Sequence, residues 1–368
     1  MKRIILSLAF GFFFIAEITA LPRFALRQGD RCIDCHVNPT GGIVRNENGF
    51  YFGKNVMSLI SPREKDFALS PAITENLSIG FDYRTQFLYS QEKDRSDFQD
   101  MSGSIYLNAS VSEKIDVVTR YDFVQSIWEG YAVARIFPNN SYIKAGSFVP
   151  YYGIRIDDHT AYTKGGDFGL LFSLGRIQGL LYNPFYIETG VELGAYFTDN
   201  VLMTASVGKP KSGALFSGDP AFTMRLEAGK EIGGVNLLLG ASYAAFERKI
   251  LSSSLRSRMY GGFAGLGLKY FSLIGEYDIA KDYAAEETGS RAAMVEASYK
   301  IYVGVDAVVR YDYFDYDDST PDNEFEHIIL GFEFFPYSFV EVRPQYRINL
   351  ESAGNKNNAF VLQFHFWY

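Results

Sequence analysis

From residue 76 onward the chain alternates apolar and polar positions with period two, segment after segment. In residues 77–89, Leu77, Ile79, Phe81, Tyr83, Phe87 and Tyr89 share one face, while Ser78, Gly80, Asp82, Arg84 and Gln86 share the other. The same split recurs in 117–123, 187–197, 235–243, 305–313, 328–334 and 340–348. One face is apolar, with aromatics near the strand ends; the other mixes Gly, Ser and charge. That pattern predicts strands with lipid outside and a crowded, wet interior. A soluble sandwich also alternates, but its outward face would carry the charge.

The connections alternate in length. Short ones fall at 112–115, 138–141, 198–200, 231–234, 270–272, 300–302 and 336–338, and longer polar ones at 91–102, 209–219, 246–258 and 315–323. Short turns on one rim and long loops on the other are the pattern of outer-membrane barrels. The reading is therefore all-β: a transmembrane antiparallel β-barrel over 72–368 of about sixteen strands, with fourteen or eighteen as alternatives. The connection at 150–184 is much the longest and predicts a loop folded into the pore, with an exposed hairpin or lid as the alternative. Phe360, Leu362, Phe364, Phe366 and Tyr368 again share one face, as in terminal strands used for barrel assembly.

If this register holds, the lumen receives Asp82, Asp116, Asp122, Glu188, Glu192, Glu227, Glu276, Asp278, Glu296, Asp306, Asp312, Glu333 and Glu341. The inward bases are Arg84, Arg120, Arg225, Arg310, Arg343 and Arg347, with no lysine among them. Opposite charges stand two apart at Asp82/Arg84, Arg120/Asp122, Arg225/Glu227, Arg310/Asp312 and Glu341/Arg343, which predicts a salt-bridge lattice. The excess of acid disfavours an anion-selective pore. An acidic loop (Asp315, Asp317, Asp318, Asp322) is read as a solvated tip, with collection of metal ions the sharper alternative.

Residues 1–20 read as a secretory leader: Lys2 and Arg3, an apolar run, then Thr19 and Ala20 before the cut. Its removal takes the net charge from −8 to −9, because Lys2, Arg3 and Glu17 go with it. That balance argues against nucleic acid as a partner. The 26 Tyr, 32 Phe and 34 Gly suit an aromatic-girdled barrel with outer-membrane lipid as its surroundings.

Residues 21–71 form a separate segment that carries the candidate chemistry. Its Cys32 and Cys35 are the only cysteines, and His36 follows the second. C-x-x-C-H is the attachment site of a c-type haem: two thioethers hold the ring, and the histidine is the proximal iron ligand. One covalent haem c is therefore expected, and export fits it. A Cys32–Cys35 disulfide or redox pair is the alternative, but no βαβ pattern follows. For the sixth ligand the candidates are His159 on the long loop, then Met57, then His365 and His327, both inward in this register. Water or an open position remains a further alternative. About fifty residues with one apolar patch at Phe50, Tyr51 and Phe52 cannot bury a core alone, so the segment needs a surrounding wall.

Arg27-Gln28-Gly29 ahead of Cys32, Cys35 and His36, followed by the Phe/Gly stretch from Gly49 to Gly53 and one barrel, resembles the fused monohaem cytochrome–porin class of outer-membrane electron carriers. The porin-type iron oxidases belong to that class. The turn Asn38-Pro39-Thr40-Gly41-Gly42 departs from that resemblance. Ala145-Gly146-Ser147-Phe148-Val149-Pro150 with Tyr152-Gly153 is similar to the strand-to-loop entry of phosphate-type porins. The resemblance implies electron transfer across the outer membrane. Its partners would be a periplasmic cytochrome or similar redox carrier, and an extracellular metal such as Fe(II) or a small-molecule redox partner. The rival readings are a solute porin whose haem segment is a structural plug or sensor, and an enzyme acting at the iron.

Overall fold

Strands that are apolar outside and polar inside need a partner on both edges, since an open edge in lipid leaves backbone groups unsatisfied. The computed structural model meets that demand by closure. It describes residues 23–42, 44–62, 70–91, 93–156, 158, 160–166, 179–180, 186–211, 219–250, 253–350 and 358–368. The leader of 1–20 lies outside them.

Three short helices come first: α1 (Arg23–Gln28), α2 (Cys32–Cys35) and α3 (Glu47–Asn55). After a three-residue strand β1 (Ala72–Thr74) come β2 (Leu77–Ser90), β3 (Arg95–Ser112), β4 (Ile115–Asp122), β5 (Ile127–Ala134), β6 (Tyr142–Phe148), β7 (Glu188–Thr198), β8 (Val201–Pro210) and β9 (Ala221–Ile232). The second half holds β10 (Val235–Ile250), β11 (Ser253–Gly267), β12 (Phe271–Lys281), β13 (Gly289–Tyr302), β14 (Val305–Asp315), β15 (Glu324–Phe334), β16 (Val340–Asn349) and β17 (Ala359–Trp367). From β2 to β17 every strand pairs antiparallel with the next, and β17 closes on β2 from Ala359 opposite Ser90 to Trp367 opposite Asp82. The result is a closed antiparallel barrel of sixteen strands.

The faces follow the alternation. Leu226, Leu239, Val295, Val309, Phe332 and Phe366 are exposed outside, and the inward residues named above are buried within, apart from a little exposure at Asp82 and Arg84. The lattice forms at Asp82–Arg84 (3.6 Å), Arg225–Glu227 (2.6 Å), Arg310–Asp312 (2.7 Å) and Glu341–Arg343 (3.3 Å). Arg120 instead reaches across to Glu129 at 2.8 Å. The expectation of no inward lysine is corrected by Lys144, fully buried and 2.6 Å from Glu192. Two long connections are also corrected. β3 already starts at Arg95, and β10 and β11 run through most of 246–258, so strand continues where the polar sequence predicts loop. At the start of β3 both faces are exposed or nearly so and the period-two signal fades, whereas in the β10–β11 hairpin Phe246, Arg248 and Ser257 stay buried on the inner face.

Two inserts occupy the interior. The described residues of the connection from β6 to β7 pack against inward side chains of the wall. Lys164 meets Glu276 at 2.7 Å, Asp158 meets Arg310 at 2.9 Å, Gly153 accepts from Arg225 at 2.8 Å and Tyr152 donates to Asp278 at 2.9 Å. The second insert is the cysteine-bearing segment. Leu26 of α1 is fully buried against Gly265 and Gly267 of β11. Arg23 pairs with Glu296 (3.0 Å) and Glu333, and Arg27 with Asp306 (2.6 Å). The segment leaves the barrel past the turn between β15 and β16, where Leu59 donates to the Phe335 carbonyl at 2.9 Å. It therefore sits at the short-turn end.

Candidate functional site

The C-x-x-C-H motif folds as one helical turn. The His36 amide donates to the Cys32 carbonyl at 2.9 Å, and Asp34 accepts from the Arg31 amide (2.6 Å) and pairs with its guanidinium (3.1 Å). His36 then leaves in extended backbone and forms a bridge with Arg45. Asn46 clips the motif to α3. Its amide donates to the carbonyls of Ile33 and Asp34, both at 3.1 Å, while its oxygen caps α3 by accepting from Gly49 at 3.0 Å. The closeness of α3 requires glycine, since a Cβ on Gly49 would collide with the Cys35 carbonyl. The intervening turn is closed by Gly41 donating to Asn38 (2.9 Å) and Asn38 to Gly41 (2.8 Å), with Gly41 at φ +77° and its Cβ position 3.2 Å from the Cys32 sulfur.

These elements line one hollow. Cys32, Cys35 and His36 share it with Phe24, Phe52, Met57, Phe335 and Trp367, and with Arg23, Arg31, Arg45 and Arg343. The pore loop reaches it through Ile156 and Asp158, and Tyr151 places its hydroxyl 3.8 Å from the Cys32 sulfur. The atom-free space is about 1150 Å³, open mouth included. Burial pushes both thiols up, Cys32 to about 11 and Cys35 to about 11, with Glu227 adding to the first and Asp30 and Asp34 to the second.

The residues fit a covalently bound haem. Two thiols, with no disulfide between them, and an imidazole converge on one apolar-walled hollow rimmed by arginines. The wall also holds a buried donor, the Trp367 indole N–H, with no hydrogen-bond partner among the described residues. It lies 3.3 Å from where a Cβ on Gly53 would stand. Gly49 and Gly53, one turn apart on α3, both line the hollow.

The sixth-ligand candidates separate. Met57 lines the hollow. His365 lines it too, but its ring nitrogens face Glu341 at 2.9 Å and Asp82 at 2.8 Å. His327 is elsewhere, fully buried between Asp312 (2.6 Å) and the Tyr162 hydroxyl (2.9 Å). His159 lies outside the described residues. The sequence does not single out Tyr151, Asn46 or Trp367: Trp367 reaches the hollow through the pairing of β17 with β2, Tyr151 through the loop between β6 and β7, and Asn46 through its bonds to the motif.

No protein-family model matches the chain, and no curated protein does. Solved structures do. The outer-membrane channel DcaP of Acinetobacter baumannii superposes with a TM-score of 0.58 at 12% identity over 82% of this chain and 100% of that one. In-vitro folded OmpT of Vibrio cholerae gives 0.58 at 12% over 81% and 100%. An anion-selective porin from Comamonas acidovorans gives 0.55 at 8% over 79% and 99%. The fold is thus that of bacterial outer-membrane channels, and the outer-membrane location expected from the strands agrees with it.

Proposed function

We propose that this chain is an outer-membrane barrel that carries one covalently attached haem in its lumen and passes electrons between an extracellular donor or acceptor and a periplasmic redox carrier. The observation that carries the reading is the convergence of Cys32, Cys35 and His36 on one apolar hollow inside the barrel. Bound there, the haem would supply a one-electron carrier that cycles between ferrous and ferric iron.

The chain's own groups do the rest. Cys32 and Cys35 would tether the ring through thioethers, and His36, turned out by extended backbone after α2, would ligate the iron. Arg23 and Arg343, already beside Glu296, Glu333 and Glu341, and the Trp367 N–H provide donors for the ring's carboxylates. The pore loop borders the same hollow through Ile156 and Asp158, with Tyr151 against Cys32. The hollow lies at the short-turn end, periplasmic in such barrels. A soluble carrier of that compartment can approach it there, while an extracellular metal such as Fe(II) or a small redox molecule would come through the long-loop end.

The test is a haem stain and absorption spectrum of purified protein from a host competent in c-type maturation, followed by ferrous iron. A pigment that survives denaturation in the wild type and vanishes in Cys32→Ser with Cys35→Ser supports the reading. A colourless wild type removes it.

A second reading, a solute channel whose cysteine segment is a plug, is favoured by the channel and porin relatives. Free passage of sugars in liposome swelling, with no electron transfer to a trapped acceptor, would select it.

A further inference from the structure

We propose that Met57 is the second axial ligand, giving the iron a histidine on one side and a thioether on the other. The assignment rests on the haem reading above and deepens it by fixing the class of donor the site can oxidise.

The argument is one of availability. Among the described residues that line the hollow, the side chains with a nitrogen or sulfur able to ligate low-spin iron, beyond the motif itself, are His365 and Met57. His365 is held on three sides by Glu341 at 2.9 Å, Asp82 at 2.8 Å and Arg84 at 3.3 Å. Freeing a ring nitrogen would break one of its contacts with the carboxylates of Glu341 and Asp82. Met57 carries no such tie. It follows α3 directly, with its amide donating to the Phe52 carbonyl at 3.2 Å. Its side chain is half-buried against the cluster of Phe50, Phe335, Phe339 and Trp367. It also stands where two hollows meet, the one holding the motif and a smaller one of about 380 Å³ behind Phe24 and Phe52. An unbranched thioether with free torsions and room beside it can reach a metal without moving backbone. The short link matters as well: Asn46 joins the motif to α3, so His36 and Met57 belong to one clipped unit rather than to separate walls of the barrel.

The consequence is electronic. Methionine ligation raises the potential of a c-type haem above that of the nitrogen-ligated form, because a neutral soft sulfur favours ferrous iron. A site so tuned accepts electrons from weak reductants, such as a metal ion in its lower oxidation state, more readily than a bis-histidine site would.

The experiment uses the full-length holoprotein and three variants, Met57→Ala, Met57→His and His365→Ala, read by optical spectrum, carbon monoxide binding and redox titration. The oxidised wild type should show the weak sulfur-to-iron charge-transfer band at the red edge of the visible spectrum. Met57→Ala should lose the band, turn high-spin and bind carbon monoxide in the ferrous state, while keeping its covalent pigment. Met57→His should return to low spin at a lower potential, and His365→Ala should keep the band. An unchanged spectrum in Met57→Ala, or a pigmented wild type without the band, overturns the assignment while leaving the haem reading standing. A colourless wild type overturns both.

Discussion

At the scale of single residues, the thiols of Cys32 and Cys35 show most directly what the fold does to chemistry. Burial holds each well above its ordinary value of 9.0, so in haem-free protein both stay protonated at neutral pH and react slowly with alkylating agents. The folded chain binds these protons more tightly than the unfolded chain. This contribution to stability is intact below pH 9.0 and is lost as pH rises through about 11. Maleimide labelling of haem-free protein should therefore accelerate up to about pH 11, with the half-buried Cys35 ahead of the buried Cys32; fast labelling of both at pH 7 would contradict the burial. The motif itself was legible, because three residues of fixed type and spacing need no tertiary information. The partners were not. Trp367 and Arg343 reach the hollow only through closure of β17 on β2 and the pairing of β16 with β17. Alternation alone pointed His365 inward and stopped there, since its engagement by Asp82 depends on cross-strand register.

At the scale of elements, the cysteine segment contains three short helices that no periodicity in the sequence announces. Helices of four to nine residues give too few positions for a 3.6-residue period to declare itself. What orders them is capping and close approach. Asn46→Ala removes the α3 cap together with two bonds to the motif and should cost about 0.5–2 kcal/mol. Gly49→Ala meets the Cys35 carbonyl and must push α3 away from the motif. Both variants should assemble a barrel that still shows heat-dependent mobility on gels, while covalent pigment per barrel falls, more for Gly49→Ala. Full pigment in Gly49→Ala would show that the close packing of α2 on α3 is dispensable. The strands were far more legible, as lipid on one side and charge on the other impose period two within the belt. At the start of β3 both faces are exposed or nearly so, and that selection lapses.

At the scale of the whole molecule, the interior charges decide between conduit and channel. Arg23 and Arg27 of α1 plug into carboxylates of three neighbouring strands, Glu296 on β13, Glu333 on β15 and Asp306 on β14, and Arg27 also donates to Ser298 on β13. Removing one partner of such a buried pair costs about 3–5 kcal/mol, because the other is left uncompensated in a dry site. Arg23→Ala with Arg27→Ala should therefore loosen the plug without opening the barrel wall, whose backbone pairs are untouched. Wild-type protein in planar bilayers should conduct little, since two inserts fill the lumen. The double variant should conduct more, and its sign is predicted by what it uncovers. Glu296, Asp306 and, with one arginine fewer, Glu333 would face the opened passage, so permeating ions should be cations. Current carried mainly by chloride would mean that the lumen's electrostatics are not those of its acids. A fold shared with an anion-selective porin thus places no constraint on selectivity: the backbone sets the cylinder, and the side chains set what passes through it.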